Sequence, residues 1–179
     1  MDETWRAQPV PDETAIELRH FLGAMAAAFE DETSGKGLSL IVEVEPCLPV
    51  LVLLDLPRVE RVLNNLLHNA VTFTDRGSIV LRAEAAGTGR FKVSVSDTGR
   101  GIAPDRQASL FHAGHSENRR GAARYGGTGR GLAICRDLTE RMGGRLDVTS
   151  ALGVGSTFTV TLPLRDASHD DAGRVSSPA

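Results

Sequence analysis

Cysteine and aromatic residues are scarce in this chain of 179 residues. The two cysteines, Cys47 and Cys135, stand far apart and outside any CxxC pattern, which excludes a cysteine metal site or redox pair and leaves two reduced thiols. Aromatics make up 4%, so Leu, Val, Ile and Ala must fill the core. No apolar run approaches the roughly 20 residues of a membrane span, and the acidic start, Met1-Asp2-Glu3-Thr4-Trp5, is unlike a signal peptide. With a formal charge of −3 and no dense basic run, nucleic acid is excluded as the main partner, because binding a phosphate backbone needs clustered Lys and Arg. These absences imply a cytoplasmic domain without direct membrane contact, a reading compatible with a membrane-anchored parent.

What is present fits one compact domain with loose ends. Residues 1–11 carry two prolines and little periodicity, as a linker does; 12–164 form the domain; 165–179 are polar with no apolar face and are expected to be a disordered tail. From Asp12, Ile16, Leu18, Phe21, Leu22, Met25, Ala28 and Phe29 recur at helical spacing, and Gly35 and Gly37 stop the helix. Ser39 to Glu45 alternates as a half-buried strand does, and Leu51 to Leu54 suits a second, short strand. Asp55 can cap a helix that tolerates Pro57 in its first turn and carries the stripe Val59, Val62, Leu63, Leu66, Ala70 and Phe73. Strands over 78–85 and 91–96 read as a hairpin around Gly87-Thr88-Gly89. A short helix begins at Ala103-Pro104-Asp105, and 112–128 lacks apolar periodicity, which in a compact domain marks a functional or disordered loop. A third long helix over about 130–142 and strands over 145–150 and 156–162 complete the chain. The order implies an α/β two-layer sandwich: a mixed, mostly antiparallel sheet of about five strands, covered on one face by three long helices.

Four segments carry chemistry. On the second helix, Asn65, Asn69 and Thr72 are spaced to share one face opposite the apolar stripe. An amide oxygen there can ligate a hard cation such as Mg²⁺, although spacing alone favours an ordinary solvated face. Asp97-Thr98-Gly99-Arg100-Gly101-Ile102 follows a strand; its carboxylate can accept a hydrogen bond from an amino group and its glycines let backbone approach a flat ligand, or it is a plain turn. Gly126 to Ile134 opens directly into the third helix, and backbone N–H groups at a helix start reached through glycines bind phosphate. This segment is neither a P-loop nor a Rossmann fingerprint. Gly153 to Val160 taken alone is a turn and a strand.

Together and in this order the segments resemble the catalytic ATP-binding domain of sensor histidine kinases, within the Bergerat-fold superfamily that includes DNA gyrase, the MutL proteins and the large heat-shock chaperones. Asn65 to Thr74 resembles the N box, Asp97 to Ile102 the first glycine box, Leu110-Phe111 the start of the F box, Gly127 to Leu132 the second glycine box, and Gly153 to Thr157 the last. The likeness spans about residues 16–164.

The resemblance implies ATP and Mg²⁺ as cofactors. It implies that Asn69 ligates the metal with Asn65 beside the phosphates, that Asp97 meets the exocyclic amine of adenine with Thr157 near it, and that Gly99, Gly101 and Ile102 line the adenine and ribose end. Gly127, Thr128, Gly129, Arg130, Gly131 and Leu132 are the implied phosphate-binding backbone, and 112–128 the ATP lid. Members that hydrolyse ATP carry a glutamate four residues before the metal-ligating asparagine; here Asn65 holds that position, and an amide cannot act as a base. Three departures stand out: Thr72 replaces a basic residue, Gly114 a second F-box aromatic, and Arg130 an apolar residue, so that Arg130 is a candidate to supply the charge lost at Thr72.

None of His20, His68, His112, His115 and His169 fits a phosphoacceptor: His20 is followed by Phe21-Leu22 instead of an acidic residue. No phosphoacceptor histidine therefore lies in the chain. The implied function is donation of the γ-phosphoryl group of ATP to a histidine on a separate dimerisation domain, with a response regulator downstream and the isolated chain a monomer. Two alternatives share the fold: a degenerate nucleotide-binding or docking module, and a stand-alone protein kinase of the anti-sigma type.

Overall fold

The structure, a computed structural model, describes residues 13–107, 110–111 and 131–167. In chain order the described elements are β1 (Glu13–Glu17), α1 (Leu18–Ala27), α2 (Glu30–Lys36), β2 (Ser39–Val44), β3 (Leu51–Asp55), α3 (Leu56–Phe73), β4 (Ser78–Ala85), β5 (Arg90–Asp97), α4 (Pro104–Gln107), α5 (Gly131–Arg141), β6 (Arg145–Ala151) and β7 (Gly155–Pro163). The main sheet has five strands in the order β2-β4-β5-β7-β6. β2 and β4 run parallel, and every other neighbouring pair is antiparallel.

Period-two alternation gives this sheet one apolar face. Ile79, Leu81 and Ala83 of β4, Phe91, Val93 and Val95 of β5, and Phe158, Val160 and Leu162 of β7 are all buried. The opposite face carries Glu43, Arg82, Glu84 and Lys92, joined in the pairs Arg82–Glu43 at 2.5 Å and Lys92–Glu84 at 2.5 Å. Above the apolar face lie the three long helices, α1 against β2, α3 against β5 and α5 against β6, with α3 also packed on α5. The buried stripe of α3 is Val59, Val62, Leu63, Leu66, Leu67, Ala70 and Val71. Each Val or Leu there contributes about 1.5–3 kcal/mol by leaving water, so α3 is the helix the core holds most firmly. The expected α/β two-layer sandwich is the fold observed.

The N-terminal segment differs from its expected form. Its first five described residues, Glu13–Glu17, form β1, antiparallel to β3, instead of the first turns of a helix. Ile16 and Thr14 are β-branched and pair with Val52 and Leu54, so a strand partner wins over the apolar periodicity that Ile16 shares with the helix behind it. The helix itself is divided. α1 ends at Ala27, Phe29 turns into the core, and α2 restarts with Glu30, Asp31 and Glu32 in its first turn, where the helix dipole favours acidic residues. Gly37 closes α2 in the left-handed conformation at φ 67°.

The C-terminal boundary also moves. Arg165 and Asp166, expected in the tail, lie against β3: the Leu53 N–H donates to the Arg165 carbonyl at 2.9 Å, Asp166 bridges Val52, and Arg165 pairs with Glu13 at 2.6 Å. β3 is thereby flanked by the first and last described segments, and runs straight into α3. No described helix is long and apolar enough to cross a membrane.

Candidate functional site

The site is organised by α3. Asp55, the last residue of β3, caps that helix by accepting a hydrogen bond from the Arg58 N–H at 3.1 Å, and its carboxylate also pairs with the Arg58 guanidinium. At the other end Lys36 Nζ lies 2.6 Å from the Val71 carbonyl and 3.4 Å from those of Thr72 and Thr74, a cation on the free carbonyls where the dipole favours one. Between these anchors Asn65, Asn69 and Thr72 are half-buried on the face away from the stripe.

Asn65 meets the start of α5. A Cβ at Gly131 would collide with Asn65 Oδ1, so glycine lets the first turn of α5 come this close without displacing that side chain. The first turn of α5, whose N–H groups have no carbonyl partner within the helix itself, thus lies beside the Asn65 amide, with Leu132 half-buried against the core. The contact is fixed from below by Cys135, whose thiol reaches the Val62 carbonyl at 3.8 Å and whose pKa burial pushes up to about 12. Among the described residues no cluster of His, Cys, Asp or Glu could hold a metal ion. The neutral amides Asn65 and Asn69 fit a cation that keeps most of its waters and takes other oxygens from phosphate, which is the habit of Mg²⁺.

Asp97 is the last residue of β5. Its carboxylate accepts the Gly99 N–H at 2.9 Å and also the Ser156 N–H from the facing strand. Burial pushes its pKa above the ordinary carboxylate value, and the two N–H groups pull the other way. A partly desolvated acceptor of this kind has lone pairs left for an N–H donor of a ligand. Gly101 turns the loop back at φ 67°, where a side chain would strike the Ala151 carbonyl. Beside it the Arg100 guanidinium lies 4.5 Å from the centroid of the Phe73 ring, and the Arg100 N–H reaches the Phe73 carbonyl at 3.3 Å. The Asp97 loop is therefore docked on the end of α3, eight residues or about 12 Å beyond Asn65 at 1.5 Å per residue.

Two of the residues that build this end carry no motif of their own. Ser150 Oγ accepts the Ile102 N–H at 2.8 Å, donates to the Gly155 carbonyl at 2.8 Å and lies 3.0 Å from Ser156 Oγ. Gln107 Nε2 donates to the Ile102 carbonyl at 2.8 Å and to the Ser150 carbonyl at 2.9 Å. These bonds tie the first glycine segment, the last glycine segment and α4 into one unit.

The expectation that Thr157 lies beside Asp97 is corrected. Asp97 pairs with Ser156, and Thr157 pairs with Ser96 on the opposite face of the sheet, where their hydroxyls lie 2.9 Å apart. Side chains alternate along a strand, so an error of one residue exchanges the two faces. Ser156, buried, is the residue beside Asp97. Gly127, Thr128, Gly129 and Arg130, together with Gly114 and the expected lid over 112–128, lie outside the described residues. Of the F-box start, Phe111 packs partly buried against the core with the Arg136 guanidinium 5.9 Å from its ring centroid.

Residues 54–166 match the family described as histidine kinase-, DNA gyrase B-, and HSP90-like ATPase, which is well over half of the chain. The chain belongs to this family. Within it the similarity is to sensor histidine kinases. The sensor histidine kinase RcsC of Escherichia coli K12 is 40% identical over 134 residues, covering 75% of this chain and 14% of that protein. The sensor protein TorS of the same organism is 36% identical over 152 residues, covering 85% of this chain and 16% of its own length. Among solved structures, full-length ShkA in complex with AMPPNP superposes with a TM-score of 0.78 at 34% identity, over 87% of this chain and 32% of that one. The catalytic domain of the histidine kinase ThkA, at 24% identity, shows the same fold with a TM-score of 0.72 over 85% of this chain and 95% of that one. The chain spans about a sixth or less of the two sensor proteins, and nearly the whole of the isolated catalytic domain. It is an ATP-binding catalytic domain of the histidine kinase type, a reading that favours neither the docking-module nor the anti-sigma alternative.

Proposed function

We propose that this domain binds ATP with Mg²⁺ and presents the γ-phosphoryl group to a histidine on the dimerisation domain of the parent kinase. The observation that carries the reading is the pairing, along one helix, of a desolvated carboxylate at Asp97 with two amides and a helix start at Asn65, Asn69 and Gly131. In this reading the Asp97 carboxylate accepts a hydrogen from the exocyclic amine of adenine, and the Gly99–Ile102 loop lies along the base and ribose. The separation along α3 leaves room for the triphosphate to run back toward Asn65. There the backbone N–H groups at the start of α5 face the phosphate oxygens, joined by Gly127, Thr128, Gly129 and Arg130 just before it. The Asn69 amide oxygen is the protein's ligand to Mg²⁺, which when bound neutralises charge on the transferring group.

Asn65 separates transfer from hydrolysis. An amide orients a phosphate or a metal-bound water and takes no proton from it, so this position supplies no base with which to activate water. The bond to the γ-phosphorus is left for a protein nucleophile to attack, and catalysis rests on positioning and on the electrostatics of the N–H groups. His20, the one histidine of α1, is exposed on a helix of the catalytic domain itself and is not that nucleophile. A response regulator receiving the phosphoryl group from the histidine, and a monomeric state of the isolated domain, complete the proposal.

The test is phosphotransfer in trans. The chain is incubated with ATP labelled at the γ-phosphate, alone and with a histidine-bearing dimerisation hairpin. Label on the hairpin histidine, none on the chain itself and little free phosphate are expected. Rapid release of free phosphate by the chain alone contradicts the assignment of Asn65.

A further inference from the structure

The last carbonyls of an α-helix have no N–H partner within the helix, and at the end of α3 they are met from outside. The last turn of α3 holds no basic residue of its own. The chain leaves the helix at Thr74 in extended conformation, φ −109° and ψ 117°, instead of through the left-handed glycine that lets following N–H groups turn back onto the helix. Lys36, the last residue of α2, supplies the missing cation: its Nζ lies 2.6 Å from the Val71 carbonyl and 3.4 Å from those of Thr72 and Thr74. An ammonium has three N–H donors, one for each of these carbonyls. The Phe73 carbonyl between them accepts the Arg100 N–H of the Asp97 loop at 3.3 Å.

The end of α3 is therefore shared between α2 and the Asp97 loop. Gly99 packs on it so closely that a Cβ there would collide with the Phe73 carbonyl, and the Gly99 N–H holds Asp97 Oδ1 at 2.9 Å. A shift of the last turn of α3 is thus passed through Arg100 and Gly99 to the carboxylate. Lys36 is itself fixed in place. Gly37 closes α2 behind it, and the Ser39 N–H donates at 3.1 Å to the carbonyl of Gly77, in the turn that follows α3. The residue is exposed, so apolar burial gives no reason for its position; charge and hydrogen bonding do.

We propose that Lys36 is a positioning residue for nucleotide binding: by holding the carbonyls at the end of α3 it fixes the surface on which the Asp97 loop rests, and with it the place of the Asp97 carboxylate. The proposal rests on the reading of Asp97 given above. It makes a residue of α2, outside every glycine and asparagine segment of the site, responsible for the geometry of one end of it. Asp55 caps the other end of the same helix, away from the Asp97 loop, and so shows what the loss of a cap does by itself.

The test is calorimetric titration with Mg²⁺ and either ATP or inosine triphosphate, which carries a carbonyl in place of the amine and so lacks the Asp97 contact. The proteins are the parent, Lys36→Met, Lys36→Arg and Asp55→Ala. The parent is expected to prefer ATP. Lys36→Met, which keeps the length of the side chain without its charge, is expected to lose about fivefold in ATP affinity, the size of a well-placed cation at a helix C-terminus, and to bind inosine triphosphate as the parent does. Lys36→Arg restores the preference, and Asp55→Ala keeps it despite its lower stability. If Lys36→Met keeps the parental ratio of the two affinities, whether both are unchanged or both fall together, the proposal is overturned and Lys36 is a cap of the same kind as Asp55. Should Lys36→Met not fold, Lys36→Gln is read in its place; if neither folds, the residue is structural and the proposal is overturned likewise. A parent that binds neither nucleotide overturns the ATP reading and this proposal with it, and a parent that binds both equally overturns the role of Asp97 and hence that of Lys36. A parent that prefers ATP, matched by Lys36→Met, overturns the role of Lys36 alone.

Discussion

At the Phe73 end of α3, residues from four elements are held by short hydrogen bonds: Asp97 by Gly99 and Ser156, and Ser150 by Ile102, Gly155 and Gln107. At the Asn65 end, two helices approach because a side chain is missing at Gly131, and the polar groups are the Asn65 amide and the first turn of α5. In the proposed reading, a flat base of fixed shape would be met by a network whose atoms are already in place. In the same reading, a flexible, highly charged triphosphate would be met by a helix dipole and neutral oxygens that tolerate some movement. The difference predicts which substitutions act on folding, which on binding and which on both.

The largest effect is expected for Asp97→Asn. An amide nitrogen turned toward the adenine amine donates where an acceptor is needed, and ATP affinity falls about 10–150-fold, the range for a hydrogen bond to a charged group. The parent itself should show a pH dependence of definite sign. Burial raises the folded pKa of Asp97 above the ordinary carboxylate value, so the ionised carboxylate subtracts from stability at neutral pH, and that penalty is relieved as pH falls through the raised folded pKa. ATP affinity runs the other way: it is lost on acidification from a pH above the ordinary carboxylate range. Asp97→Asn should flatten both trends, and a thermal-melt and titration series across pH measures them.

Gly101→Ala comes next and acts on folding as well as binding. An alanine at φ 67° facing the Ala151 carbonyl should lower stability by about 2 kcal/mol, read from urea unfolding. A smaller effect, confined to binding, is expected at the other end. Gly131→Ala displaces a movable side chain, Asn65, instead of backbone, and alanine favours the helix. Its unfolding midpoint should stay close to the parent's while affinity for ATP with Mg²⁺ falls about tenfold, or about 1.4 kcal/mol. Should Gly131→Ala unfold the domain, or Gly101→Ala leave stability untouched, the contrast between a rigid end and a yielding one is lost. The smallest change is expected for Asp55→Ala, which removes the cap of α3 at about 1 kcal/mol of stability without a separate effect on nucleotide.

Much of this arrangement was legible in the sequence where local chemistry speaks for itself. The Asp55 cap, the stripe of α3 apart from the exposed Phe73, and the 78–85 strand with its hairpin partner follow from spacing, and the motif order points to the family. What was illegible depends on pairing. Nothing local makes Glu13–Glu17 a strand until β3 is available, and nothing local says that Ser156 rather than Thr157 faces Asp97, since two adjacent hydroxyl residues in a strand differ only in the face they take. Ser150 is an ordinary residue in the chain and acquires meaning only from what the fold brings beside it, Ile102 and Gly155.

The central claim is that the two ends of α3 hold one nucleotide. It is tested most directly by titrating the chain with a non-hydrolysable ATP analogue in a calorimeter, with and without Mg²⁺. One-to-one binding that tightens with Mg²⁺ is the predicted result. A folded chain that takes up no analogue at millimolar concentration, or binds it equally with and without the metal, contradicts the claim.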